Sequence, residues 1–175
     1  MNPGRREAAI LAAAGLAAAA AGFFLGPLLT RKGGSGAVLS AATFPDLAGR
    51  QRDLAEWRGR VLVCNFWATW CAPCREEVPL LVSAWEKYAP RGVEIVGIAV
   101  DNSSNVKEFA SKYGIQYPVL LAEADGLDLM RQLGDSGGGL PFTVFLDRKG
   151  RVAATKLGAL HGAELEEILG RLSAD

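Results

Sequence analysis

Histidine is nearly missing from this 175-residue chain, which has one, and cysteine and methionine number only three and two. A single histidine excludes a multi-histidine metal centre within one chain. Three cysteines are too few for the disulfide framework of a small secreted domain. An excess of either charge is also absent: Lys plus Arg and Asp plus Glu both total 19, for a formal net charge of zero. Such a chain lacks the basic footprint of nucleic-acid binding. No fixed-period repeat is visible. Apolar residues are plentiful, at half of the total. That is enough for an ordinary core, and the length fits one domain plus an extra segment.

The first 32 residues differ in kind from the rest. Arg5 and Arg6 precede an apolar run from Ala8 to Leu29, and Arg31 and Lys32 close it. As a helix this run would extend roughly 33 Å, enough to cross a bilayer core of about 30 Å. Residues 1–32 therefore read as a single-pass membrane anchor. A cleaved signal peptide is one competing reading, because Ala17–Ala21 offers small-residue cleavage sites, and a soluble alanine-rich helix is another. Arg5 and Arg6 favour a cytoplasmic N-terminus, although Arg31 and Lys32 blunt the asymmetry. Residues 33–40, with Gly33, Gly34, Ser35 and Gly36, read as a flexible linker, and residues 41–175 as the domain.

Within the domain, hydrophobic patterning predicts a short helix over Leu54–Trp57 and buried strands over Val61–Trp67 and Val93–Val100. Between the two strands, Cys71–Tyr88 reads as a helix interrupted at Pro79. Helices follow over Val106–Tyr113 and Leu127–Leu133, with a short strand at Val119–Leu121 between them. Thr143–Asp147 and Val152–Leu157 read as a hairpin turning at Arg148-Lys149-Gly150, and Ala163–Leu172 as a closing helix. Strands alternating with helices, then a hairpin and a helix, argue an α/β sandwich around a mixed sheet.

The chemistry sits at Trp70-Cys71-Ala72-Pro73-Cys74, where a buried strand meets a helix. Two cysteines three apart at a helix start can bridge after little movement. The first faces unpaired backbone N–H groups and the positive end of the helix dipole. Both favour the thiolate, which makes Cys71 the nucleophile and the deeper Cys74 the resolving thiol. A zinc site would need a second ligand pair, which Cys64 and the distant His161 do not supply at usable spacing. Cys64 reads as an inert core thiol, since neighbouring strand residues point to opposite faces. Trp67 and Trp70 would shield the pair and offer an apolar docking face, with core packing the better reading for Trp67. Glu77 lies one helical turn beyond Cys74. His161 reads as a surface residue, and Glu76 as a solvated one.

The run from Asn65 through Cys71 and Cys74 to Pro79 (NFWATWCAPCREEVP), with the later Gly139-Leu140-Pro141, resembles the TlpA/ResA-like branch of the thioredoxin family. The similarity covers roughly Ala41 to the end. It implies a thioredoxin-like α/β fold, a mixed central sheet flanked by helices. It also implies an N-terminal strand extension, a central insertion near Val106–Leu121, and one preceding transmembrane helix. Pro141 would be the cis-proline beside the cysteines, and the Leu140 backbone would receive the partner's extended peptide. By the same resemblance Glu77 is the active-site acid that tunes the thiols, its pKa raised by burial. Asn65 stands where true thioredoxins carry a buried aspartate. An asparagine cannot take up that proton, which moves the acid–base work to Glu77.

The function this implies is thiol:disulfide oxidoreduction through a Cys71–Cys74 pair, with no metal and no other cofactor. The clients would be extracytoplasmic proteins bearing disulfides or cysteines, including those of cytochrome c or copper-protein maturation. A membrane thiol electron donor would act upstream. The chain would sit in a bacterial cytoplasmic membrane with its domain in the periplasm or cell exterior, or be secreted after signal cleavage. A disulfide-forming or isomerising enzyme has the same sequence signature. A copper-binding chaperone is the third reading, weakened because the motif lacks methionine and histidine.

Overall fold

The computed structural model describes residues 35–174. The membrane anchor or signal segment expected over residues 1–32 lies outside them. Among the described residues, no helix is long and apolar enough to cross a membrane.

The chain opens with a short helix, α1 (Ser35–Ser40), then a two-stranded antiparallel sheet of β1 (Thr43–Pro45) and β2 (Gln51–Asp53). A 3-10 turn at Leu54–Trp57 leads into β3 (Val61–Trp67), α2 (Ala72–Tyr88) and β4 (Val93–Ala99). There follow α3 (Ser103–Lys112), β5 (Val119–Leu121), α4 (Glu123–Gln132), β6 (Phe142–Leu146), β7 (Val152–Leu157) and α5 (Gly162–Ala174). The main sheet runs β5-β4-β3-β6-β7. β3 is parallel to β4 and antiparallel to β6; β5 is parallel to β4 and β7 antiparallel to β6. This is the mixed sheet with flanking helices that the patterning implies. The small β1–β2 sheet supplies the N-terminal strand pair, and the region expected as an insertion forms α3 and the edge strand β5.

β3 and β4 are buried at every position, which is why both read as continuous apolar runs. The period of two assigns their side chains to two cores. Val61, Val63 and Trp67 pack with Cys71, Cys74, Val78 and Leu81 on the α2 face. Leu62, Cys64 and Phe66 pack with Leu39, Phe44 and Met130 on the other. Cys64 is thus fully buried, unpaired and on the face away from the dithiol, and desolvation drives its thiol pKa far up.

Three expectations are corrected. The flexible linker expected over residues 33–40 does not describe residues 35–40, because they form α1 and Leu39 is fully buried in the second core. A leucine and a valine among small residues give that turn an anchor that glycine content conceals. Helix α2 is not interrupted at Pro79 but continues through it. Pro79 lies on its exposed side, where a lost backbone hydrogen bond costs least. Helix α4 begins a turn earlier than its apolar pattern suggests, at Glu123.

Candidate active site

The carboxyl end of β3 turns at Ala68–Trp70 into α2, and Cys71 is the N-cap of that helix. Pro73 occupies the first turn, where its missing N–H leaves no bond unmade. Cys71 and Cys74 form a disulfide with Cα atoms 5.3 Å apart. The Cys74 backbone N–H donates to Cys71 Sγ at 3.3 Å. An amide of the first helical turn therefore faces this sulfur, the arrangement that stabilises a thiolate once the bond is reduced. Cys71 is 6% exposed and Cys74 fully buried. The difference suits a first cysteine met by the partner and a second shielded behind it. Trp70 is 67% exposed beside Cys71, whereas Trp67 is core.

Glu77 is buried, unlike its solvated neighbour Glu76. Both its carboxylate oxygens are held: Asn65 Nδ2 donates to Oε1 at 2.8 Å, and the Leu160 N–H donates to Oε2 at 2.9 Å. Burial pushes its pKa up and outweighs the opposing bonds from Leu160 and Asn65. Asn65 Nδ2 also donates to Thr143 Oγ1 at 3.0 Å. This is possible because Asn65 and Thr143 are directly opposed across β3 and β6. Tyr117 is buried nearby. Desolvation first, then the Glu77 charge, keeps its hydroxyl protonated well above its ordinary range.

The Leu140–Pro141 peptide bond is cis. Phe142 pairs with Phe66 near the end of β3, so Pro141 stands at the same edge of the sheet as the cysteine loop. Leu140 is half-buried and touches both cores. His161 is exposed, as expected, and its carbonyl accepts the first turn of α5 from Leu165.

Sequence reasoning missed three contributors. Thr143 and the Leu160 amide complete the buried network around Glu77. Asp101, just past β4, clamps the cysteine loop. It accepts from the Thr69 N–H at 3.1 Å and from the Thr69 hydroxyl on Oδ2, while Oδ1 accepts from the Asn102 N–H at 2.7 Å and from Asn105 Nδ2. Burial alone would raise the Asp101 pKa, but these bonds outweigh it and hold the carboxyl below its usual range. Its position at the carboxyl end of a parallel strand, where sites gather in α/β sheets, was the available signal. Among the described residues, no group of three or more His, Cys, Asp or Glu could hold a metal ion.

The arrangement is a disulfide at a helix N-terminus, with a buried carboxyl one turn beyond and an exposed tryptophan in front. The Redoxin family model matches residues 35–169. The chain is 32% identical over 130 residues to a thiol-disulfide oxidoreductase ResA of Bacillus thuringiensis (strain Al Hakam), covering 73% of this chain and 72% of that one. A thiol:disulfide interchange protein of the thioredoxin family from Chlorobium tepidum TLS superposes with a TM-score of 0.69 at 30% identity. That match covers 75% of this chain and 92% of the other. A secreted thiol-disulfide isomerase from Corynebacterium glutamicum matches with a TM-score of 0.71 at 25% identity, covering 78% and 86%.

Proposed function

Because the chain belongs to the Redoxin family and is a thiol:disulfide oxidoreductase, we propose that it works in one direction, as a reductase of disulfides in extracytoplasmic client proteins. The observation that carries this direction is the buried Glu77 carboxyl one turn from Cys74. A strong oxidant stabilises its reduced form, typically by lowering a thiol pKa with cationic neighbours. Here the residues between the cysteines are Ala72 and Pro73, and the buried ionisable neighbour is an acid. A negative charge there disfavours the thiolates and so favours giving up electrons.

The Cys71 thiolate attacks one sulfur of the client disulfide. A Cys71–client mixed disulfide forms, and the second client sulfur leaves as a thiolate. Cys74 passes its proton to the Glu77 carboxylate and attacks Cys71 Sγ, closing the Cys71–Cys74 bond and releasing the first client sulfur. The client gains two electrons, and its two thiolates take up one proton from Glu77 and one from solvent. A thiol donor upstream returns the pair to the dithiol. Trp70 and Leu140 form the apolar approach to Cys71, and the Leu140-Pro141 backbone receives the client as an extended strand. Cytochrome c and copper-site cysteines are the client classes that fit such a reductase. The apolar run of residues 8–29 would hold the domain at the outer face of a bacterial membrane.

The second reading is an isomerase or disulfide-forming enzyme, favoured by the Corynebacterium relative's description. Direction of flow separates the two. The dithiol form should reduce a disulfide-bonded peptide much faster than the disulfide form oxidises the matching dithiol peptide. Faster oxidation would establish the second reading.

A further inference from the structure

Charge is unevenly placed in this electroneutral chain. A cleft of about 680 Å³ is lined by Arg58, Arg148, Lys149 and Arg151 together with Ser35 and Gly36, and among the described residues no carboxylate lines it. Asp147 stands behind it. That side chain accepts from the Lys149 and Arg151 backbone N–H groups and pairs with the Arg151 guanidinium at 2.6 Å, which offsets one of the four charges. The Arg148 guanidinium donates to the carbonyl oxygens of Gly92, Arg91 and Ser173, so it is held in place, and no carboxylate pairs with it among the described residues. Arg58 and Lys149 are exposed and have no carboxylate partner among the described residues.

The cleft is at a defined end of the fold. Arg58 precedes β3, and Arg148–Arg151 form the turn between β6 and β7. Cys71 and Pro141 follow and precede the opposite ends of those same strands. The seven residues of β3 separate the two ends by roughly 20 Å. Ser35, the first described residue, is a wall of the cleft. The described domain therefore begins at its basic end and not at its dithiol end.

We propose that this basic cleft is a docking surface for the anionic headgroups of phospholipids. It rests on the membrane-tether reading given above, since the tether brings it to a bilayer. Clustered Lys and Arg beside a membrane attachment attract anionic lipid within a screening length of the surface. Docked this way, the domain keeps the cleft on the bilayer and turns Cys71, Trp70 and Pro141 outward to clients. A soluble phosphate would meet the same cations, and the vesicle comparison below separates the two sources.

Hydrogen–deuterium exchange of the full chain tests this in vesicles of phosphatidylcholine alone and of phosphatidylcholine mixed with phosphatidylglycerol. The mixed vesicles should slow exchange at residues 58–60 and 148–152 by at least about fivefold, with residues 69–76 unchanged. The protection should vanish at about 1 M salt, where the screening length is about 3 Å. It should also vanish in Arg58→Glu/Lys149→Glu, whose reduction of a small peptide disulfide should stay at the wild-type rate. Equal exchange in the two vesicles would overturn the proposal, as would equal protection by inorganic phosphate in phosphatidylcholine alone. The tether is read separately by flotation with phosphatidylcholine vesicles. A chain that fails to float there but floats with mixed vesicles at low salt refutes the tether and retains the cleft.

Discussion

The side-chain amide of Asn65 donates to a Glu77 carboxylate oxygen at 2.8 Å, tying the central strand β3 to helix α2 one turn past Cys74. The same nitrogen reaches Thr143 on β6. One asparagine thus joins three elements that surround the dithiol, and its amide donates to a carboxyl whose pKa burial raises.

Glu77 makes stability depend on pH in a stated direction. Its folded pKa is raised above the unfolded value, so the folded state holds the proton longer than the unfolded one. The favourable contribution is complete below the ordinary glutamate range and is lost as pH rises through the folded pKa. Urea unfolding from acid to neutral pH should show stability falling across that window, and Glu77→Gln should flatten the slope. The variant should also change the pH profile of Cys71 alkylation in the reduced protein. An unchanged profile would remove Glu77 from the chemistry.

Asn65→Ala leaves buried acceptors on Glu77 and Thr143 without their donor. The cost of such unmet groups is about 1–3 kcal/mol, measured by urea unfolding near neutral pH. A neutral result would mean that water replaces the amide at no penalty and that the network does not position Glu77.

Asp101 holds the loop that presents Cys71, through the Thr69 backbone and hydroxyl. Asp101→Ala should slow reduction of a client disulfide by about tenfold or more, since small misplacement of a reacting group is costly. Thr69→Ser should retain most of the rate because it keeps the hydroxyl. A wild-type rate in Asp101→Ala would show that the loop is fixed by other means.

Cys71→Ser should abolish reduction, and Cys74→Ser should accumulate mixed disulfides between Cys71 and client, seen as reducible higher-mass bands. Turnover by Cys71→Ser would contradict the assigned order of the two thiols.

Much of this site was legible in the sequence, for physical reasons that differ by residue. Cys71 and Cys74 announce themselves by spacing at a strand-to-helix junction, and β3 by an unbroken apolar run. Cys64 was separable from the pair by strand alternation alone. Glu77 and Pro141 needed the family resemblance, because one glutamate among two and one proline among eight carry no local mark. Thr143 and the Leu160 amide stayed hidden because their contacts to Asn65 and Glu77 span 78 and 83 residues. Only the register of β6 against β3, and the return of the chain before α5, bring them in. The ordered α1 was masked by the glycines beside it, while the burial of Leu39 depends on a core built from distant strands.

The reduction potential of the Cys71–Cys74 pair, measured on the full chain by equilibration with a thiol buffer, tests the proposed direction most directly. A value near or below about −250 mV, in the region of thioredoxin, is expected of a reductase. A value near about −120 mV, that of a strong disulfide-forming oxidant, would contradict it.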